Sequence, residues 1–132
     1  MLKKLQKYHM EGYTIFRIIV GLMFVQHGAQ KLLGWFGAQG TVPLVSLMGL
    51  AGVIELVGGL AIAVGFFSRL ASLGGMAVMI GALATVHFPQ GLVPIVNKGE
   101  LALLFLACFL VIAVNGNGKW SLEQAVLKKE MF

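Results

Sequence analysis

Residues 45–67 read VSLMGLAGVIELVGGLAIAVGFF. The run holds a single ionisable side chain, Glu55, amid aliphatic and small residues. As a helix it rises about 34 Å at roughly 1.5 Å per residue. That is enough to cross the ~30 Å hydrocarbon core of a bilayer. A soluble protein would have to cover such a run completely, and this chain has little with which to do so. Its hydrophobic fraction is 58% and its charged fraction 11%, against about 25% charged in an ordinary soluble domain. Lipid suits most of this surface better than water.

Three further apolar runs flank the first. One covers residues 13–33, one follows a tight turn at Ser68 and Arg69 and covers 70–88, and the last ends near Val114. Residues 101–114 alone would rise only about 21 Å, so the fourth helix is expected to begin near Asn97 and to span 97–114. That start draws Glu100, with Lys98 beside it, inside the membrane boundary. A solvated loop is the alternative place for Lys98. The expected fold is all-α: one integral-membrane four-helix bundle over residues 1–132, with a short interfacial segment at 120–132. Asn115-Gly-Asn-Gly-Lys-Trp supplies residues that tolerate a left-handed turn after the last span. Ser121 and Gln124 have capping-box spacing.

Charge placement orients the bundle. Lys3, Lys4, Lys7, Arg17, Arg69, Lys119, Lys128 and Lys129 fall on the side of the two termini, and only Lys31 and Lys98 on the other. Both termini are therefore expected in the cytoplasm, with the protein in the cell membrane and Trp35 and Trp120 at opposite interfaces. The N-terminus imitates a secretory signal, but its apolar stretch is long, holds Arg17, His27 and Lys31, and lacks a small-residue cleavage site. It reads as a retained first helix. The net charge of +5 is split between chain ends, which suits anionic lipid and offers no basic, aromatic-studded face for nucleic acid. The lone Cys108 excludes an intramolecular disulfide and a Cys-x-x-Cys motif. It reads as a packing residue.

Glycine, 18 residues in all, recurs at sevens: Gly21 and Gly28, Gly52 and Gly59, Gly58 and Gly65, Gly74 and Gly81. Small residues on one helical face let backbones approach closely in lipid, so these glycines read as packing positions.

Ionisable residues within spans cost about 2.5–3.5 kcal/mol each near the centre on insertion scales. His27, Lys31, Glu55, His87 and Glu100 all fall toward the outer side of their helices. Together they form a candidate layer for ligand binding and proton relay, with interhelical glue as the competing role. Lys31 has two candidate partners, Glu55 and Glu100. Arg17 lies nearer the termini, where it either snorkels to lipid phosphate or serves structure. Haem ligation by His27 and His87 requires opposed rings and is disfavoured. A metal site is disfavoured too, since no His-x-x-x-His or Glu-x-x-His spacing occurs.

Several of these stretches carry a resemblance. They are Arg17-Ile-Ile-Val-Gly-Leu-Met-Phe-Val-Gln-His27-Gly-Ala-Gln-Lys31-Leu, Gly52-Val-Ile-Glu55-Leu-Val-Gly-Gly-Leu and Gly65-Phe-Phe-Ser-Arg69-Leu-Ala, then Thr85-Val-His87-Phe-Pro and Gly118-Lys-Trp-Ser-Leu. In this order the chain resembles the DoxX family over nearly everything after Met10. The resemblance implies a four-helix membrane protein. It also implies a redox-linked role: relatives serve as membrane subunits of thiosulfate:quinone oxidoreductases, or as membrane hubs for redox and thiol-stress enzymes. A quinone-contacting subunit that works with a protein partner or as a homo-oligomer is the leading expectation. Quinone reduction takes up protons, and His27, Lys31 and Glu55 have the chemistry to bind a carbonyl oxygen and relay them. A non-enzymatic scaffold for a soluble oxidoreductase is the second reading. A small carrier or channel for an anion or lipid-like molecule is the third.

Overall fold

Four long helices alternate in direction around a common axis in the structure, a computed structural model that describes residues 2–130. Short helical turns at Leu2–Leu5 (α1) and Gln6–Tyr8 lead into α2, His9–Leu33, which Gly34 ends at φ +70°. A loop leads to α3, Leu47–Val64, capped by Ser46 Oγ accepting from Gly49 N at 3.0 Å and ended by Gly65 at φ +73°. The fourth element, α4 (Ser68–Ala82), continues through a π-helical turn at Leu83–His87 and a 3-10 turn at Phe88–Gln90. After the one-turn α5 (Pro94–Asn97) come α6 (Glu100–Asn115) and α7 (Leu122–Leu127).

The α2–α3 crossing is the tightest in the bundle. A Cβ built on Gly21 would stand 2.5 Å from Ala63 N and 2.8 Å from Gly59 O. One built on Gly59 would stand 2.6 Å from Val25 N. A turn further along, Gly28 meets the backbone of Gly52 and Leu56 in the same way. The pairs Gly21–Gly28 and Gly52–Gly59 thus place glycine against glycine on two antiparallel helices, whereas Gly65 ends α3 in left-handed backbone and a Cβ on Gly81 would meet nothing within 4 Å, so those two are not helix-to-helix packing positions. Between α4 and α6 the arrangement differs, since Gly75 makes room for the ring of Phe109. That ring lies 4.6 Å from Phe24 and 5.6 Å from Phe105, forming the aromatic centre of the core.

Several boundaries differ from the expected ones. The turn between α3 and α4 lies at Gly65–Phe67 rather than at Ser68 and Arg69, because Gly65 and Phe67 take left-handed backbone and Ser68 already opens the helix. The last long helix begins at Glu100, not near Asn97. Lys98 at φ +61° breaks it from α5, and Asn97 Oδ1 accepts from Gly99 N at 2.8 Å to hold the break. At 16 residues α6 rises about 24 Å, less than a bilayer core. The preceding turn, with exposed Ile95 and Val96, extends its apolar length. Among the described residues, the helices at Leu47–Val64 and Ser68–Gln90 are long and apolar enough to cross a membrane by length and composition. The first helix is longer, at 25 residues, but carries Glu11, Arg17 and Lys31.

One end of the bundle, where α2 begins and α6 stops, is closed by the segment after α6. The fully buried guanidinium of Arg17 gathers this segment. Nη1 donates to the carbonyls of Asn117 and, at 3.1 Å, Lys119, while Nη2 donates to Ala63 and Trp120 at 3.3 Å each. Of the two roles open to Arg17, this geometry describes the structural one: the side chain is fully buried and both terminal nitrogens face backbone carbonyls. Left-handed Gly116, Gly118 and Trp120 fold the segment beneath α2. Ser121 Oγ and Glu123 N both donate to Gly65 O, at 2.8 and 3.0 Å. Buried Glu123 accepts from Phe67 N at 2.7 Å and Asn117 Nδ2 at 3.0 Å. The capping serine is as expected, with Gln124 N donating to Ser121 Oγ at 3.1 Å. Instead of merely lying on a membrane surface, α7 is tied into the bundle end.

Two outcomes follow from this packing. Gly59→Ala should cost about 1–3 kcal/mol by overpacking, read as a lowered unfolding midpoint in detergent. Gly12→Ala, at an exposed helical position where an added Cβ meets nothing within 4 Å, should raise that midpoint slightly through helix propensity, by the equivalent of about 0.4–1 kcal/mol. Arg17→Met should free the closing segment. Hydrogen bonds to a charged group contribute about 1.5–3 kcal/mol each, so trypsin should cut after Lys119 about tenfold faster or more. Unchanged cleavage in a folded variant would refute the role given to Arg17.

Candidate functional site

The opposite end of the bundle is open. His27 and Lys31 stand four residues apart on α2, one turn beyond Phe24, so all three share a face. Gly28 holds this stretch of α2 against α3. Gly52 then leaves space for Leu32 and Lys31, since a Cβ there would come within 3.0 Å of the Leu32 side chain and 3.1 Å of Lys31 Cβ. Glu55 lies three residues beyond Gly52 on the same face of α3. Lys31 Nζ donates to Glu55 Oε1 at 3.0 Å and Oε2 at 2.8 Å. The glutamate side chain is only 4% exposed and the lysine 21%. The choice left open between Glu55 and Glu100 falls to Glu55.

His87 arrives from α4 through the π-helical turn, a local widening that recurs at functional sites. Its Nδ1 lies 3.0 Å from Asn97 O, so it donates there, which leaves Nε2 as the ring's acceptor nitrogen. Asn97 is fully buried, and its Nδ2 donates to Gly91 O at 2.8 Å. Gly99 supplies the room, for a Cβ there would press on His87 at 3.0 Å. Sequence reasoning passed over Asn97 as a site residue. An asparagine within an apolar stretch, two residues before a glycine, was the available signal.

These groups line a half-open cavity of about 260 Å³ between α2, α4 and α6. Lys31, Glu55, His27, His87 and Lys98 form its polar side, and Phe24, Met79, Ala102 and Phe105 its apolar floor. His27 stands edge-on to Phe105, with centroids 5.7 Å apart and planes at 85°. No hydrogen bond to its ring is formed among the described residues, so both nitrogens are available to a ligand. An ammonium has three donors. Glu55 occupies two of Lys31's, which leaves one for a ligand.

Of the five candidates in the outer layer, four meet in this cavity: His27, Lys31, Glu55 and His87. Glu100 is exposed at the start of α6 and is not part of the lining. Its place in the layer presupposed a helix starting at Asn97. Since the helix begins at Glu100 itself, the side chain stands exposed at the helix start. Lys98 takes a place on the polar side instead. Arg17 lies at the far end of the bundle.

The comparisons with known proteins agree with this architecture. The DoxX family model matches residues 12–88, a stretch that contains Arg17, His27, Lys31, Glu55 and His87. An "Uncharacterized protein" of Haemophilus influenzae is 35% identical over 135 residues, covering 97% of this chain and all of the other. "Putative oxidoreductase CatD" of Bacillus subtilis is 29% identical over 121 residues, 89% of this chain and 88% of its own length. "Inner membrane protein YqjF" of Escherichia coli is 28% identical over 124 residues, 89% of this chain and 94% of its own. No solved structure matches the chain. The family match over more than half the chain, the similarity across nearly full lengths and the apolar helices have one reading: this chain is a helical membrane protein of the DoxX family.

Proposed function

We propose that this protein is the membrane subunit of a redox-linked complex and that its open-end cavity binds the ring of a quinone. The observation that carries the reading is the cavity itself, an aromatic-floored space with unfilled polar valences on one side. Its volume of about 260 Å³ lies just below the usual range of roughly 300–1,000 Å³ for ligand pockets, a size for a ring rather than a large cofactor. The third Lys31 donor and the His27 ring suit carbonyl oxygens, and Phe24 and Phe105 suit the ring faces. A bound quinone would supply two-electron, two-proton carbonyl chemistry. The electrons would come from a partner oxidoreductase. His27 and His87 would pass protons between the cavity rim and a carbonyl oxygen. That a relative is named as an oxidoreductase supports a redox association. The charge bias of the chain ends supports termini in the cytoplasm and a cavity opening toward the outer leaflet.

A second reading, a non-enzymatic scaffold for a soluble oxidoreductase, draws on the completeness of the Lys31–Glu55 pair. If the pair serves only the bundle, Glu55→Gln lowers stability by about 3 kcal/mol, as expected for breaking a buried pair, and turnover per folded complex stays the same.

The separating experiment measures quinone binding to the purified protein in lipid nanodiscs. His27→Phe keeps the ring contact with Phe105 and removes both nitrogens, so folding should persist. Affinity should fall about tenfold, the loss expected of one hydrogen bond near 1.4 kcal/mol. A wild-type protein that binds no quinone, or an unaffected His27→Phe variant, would leave the scaffold reading standing alone. Orientation is read separately in cells, in a Cys108→Ala background. A membrane-impermeant thiol reagent should label Ala38→Cys and spare Lys129→Cys, and the reverse pattern would invert the topology.

A further inference from the structure

A second cavity of about 410 Å³ lies between α3 and the later half of α4 with its π-helical turn. Its walls are the aliphatic side chains of Leu47, Leu50 and Ile54 on one side and Val78 and Val86 on the other. Small residues set its depth: Ala51, Ala77, Gly81 and Ala82 keep the two helices from filling the gap. A Cβ on Gly81 would meet nothing within 4 Å. Leu47 is 78% exposed and Leu50 56%, and both flanking helices are long enough to cross a membrane. The groove therefore faces acyl chains.

Its inner end is not apolar. Lys31, Glu55 and His87 close it, and these three with Ala82 also border the polar cavity. The two spaces meet at the Lys31–Glu55 pair. A hydrophobic groove running from lipid to a buried ion pair, with a ring-sized polar cavity on the far side, has the shape of an amphiphile.

We propose that the groove between α3 and α4 holds the apolar chain of the ligand whose ring occupies the polar cavity, so that the ligand is a long-chain amphiphile drawn laterally from the bilayer. This rests on the ring-binding reading above and adds the ligand's chain, its position and its route. Chain burial contributes about 0.8 kcal/mol for each methylene taken from water. A ligand already dissolved in lipid gains less, since acyl chains are nearly as apolar as the groove. The selective gain then comes from shape, from a chain already aligned with its ring at the ion pair.

The test compares a decyl-substituted benzoquinone with its methyl counterpart in nanodiscs, each affinity expressed against the mole fraction of quinone in the lipid. The wild-type protein should prefer the decyl compound several-fold. Gly81→Leu fills the groove without touching the ring cavity and should abolish that preference while leaving methyl-ring binding unchanged. Ala77→Leu provides a second block should the first disturb folding. A photoreactive group at the chain end should label groove residues such as Leu47 or Met48. Equal wild-type affinity for both compounds, a preference that survives a folded Gly81→Leu variant, or labelling elsewhere would overturn the groove assignment and leave the ring site intact. Failure of both compounds to bind the wild-type protein would sink the ring site and the groove with it.

Discussion

Backbone contact between α2 and α3 sets the geometry of everything else. Gly21 against Gly59 and Gly28 against Gly52 bring the two helices close enough that side chains larger than hydrogen are excluded along the seam. In lipid, where no hydrophobic drive separates protein from solvent, such close packing is a main source of helix association. The ion pair depends on it directly. Lys31, whose Cβ packs beside Gly52, reaches Glu55 from there. With a larger residue at position 52 its stem would be displaced, and the cavity beyond would lose its charged wall.

From that seam the bundle develops two unlike ends. At the closed end Arg17 spends its charge on the carbonyls of Ala63, Asn117, Lys119 and Trp120. Nη1 and Nη2 are committed to backbone carbonyls, and the remaining Nε is buried without a partner, so that guanidinium presents nothing to an open cavity. At the open end the polar groups keep spare valences: one donor on Lys31, both nitrogens of His27, and the second nitrogen of His87 once Nδ1 has gone to Asn97. Satisfied polar groups hold structure, and unsatisfied ones lining a cavity can bind. On that criterion the ligand site belongs at the open end.

Much of this was legible in the sequence, because lipid imposes simple rules. Spans declare themselves by length and apolarity, as residues 45–67 do. Glycines at sevens declare a face, and charges at matching depths declare a layer. What was hidden depends on local turns. Lys98 in left-handed backbone, fixed by Asn97, starts α6 at Glu100 and leaves that carboxylate exposed at the helix start. No periodicity predicts that break. The docking of α7 was hidden for a similar reason: Glu123 looks like an ordinary surface residue until Gly65 and Phe67 turn their backbone groups toward it. The groove was hidden because Ala51, Ala77 and Gly81 look like packing residues, and only the structure shows that all three line a cavity.

The Lys31–Glu55 pair also bears on why a membrane protein would keep charge at this depth. An isolated ammonium or carboxylate is costly there, whereas the pair is neutral overall and its carboxylate accepts two donors. The unused third donor costs much less than a lone charge and still distinguishes a carbonyl oxygen from a methylene. Placed where a polar cavity meets an apolar groove, it would mark the point at which the proposed lipid-borne ligand changes from chain to ring. A hydrocarbon tail would leave that donor unmet, while a carbonyl would satisfy it, so the pair can fix which end of an amphiphile enters the cavity. In the proposed site, the same residues that join α2 to α3 would thereby also set the orientation of the ligand.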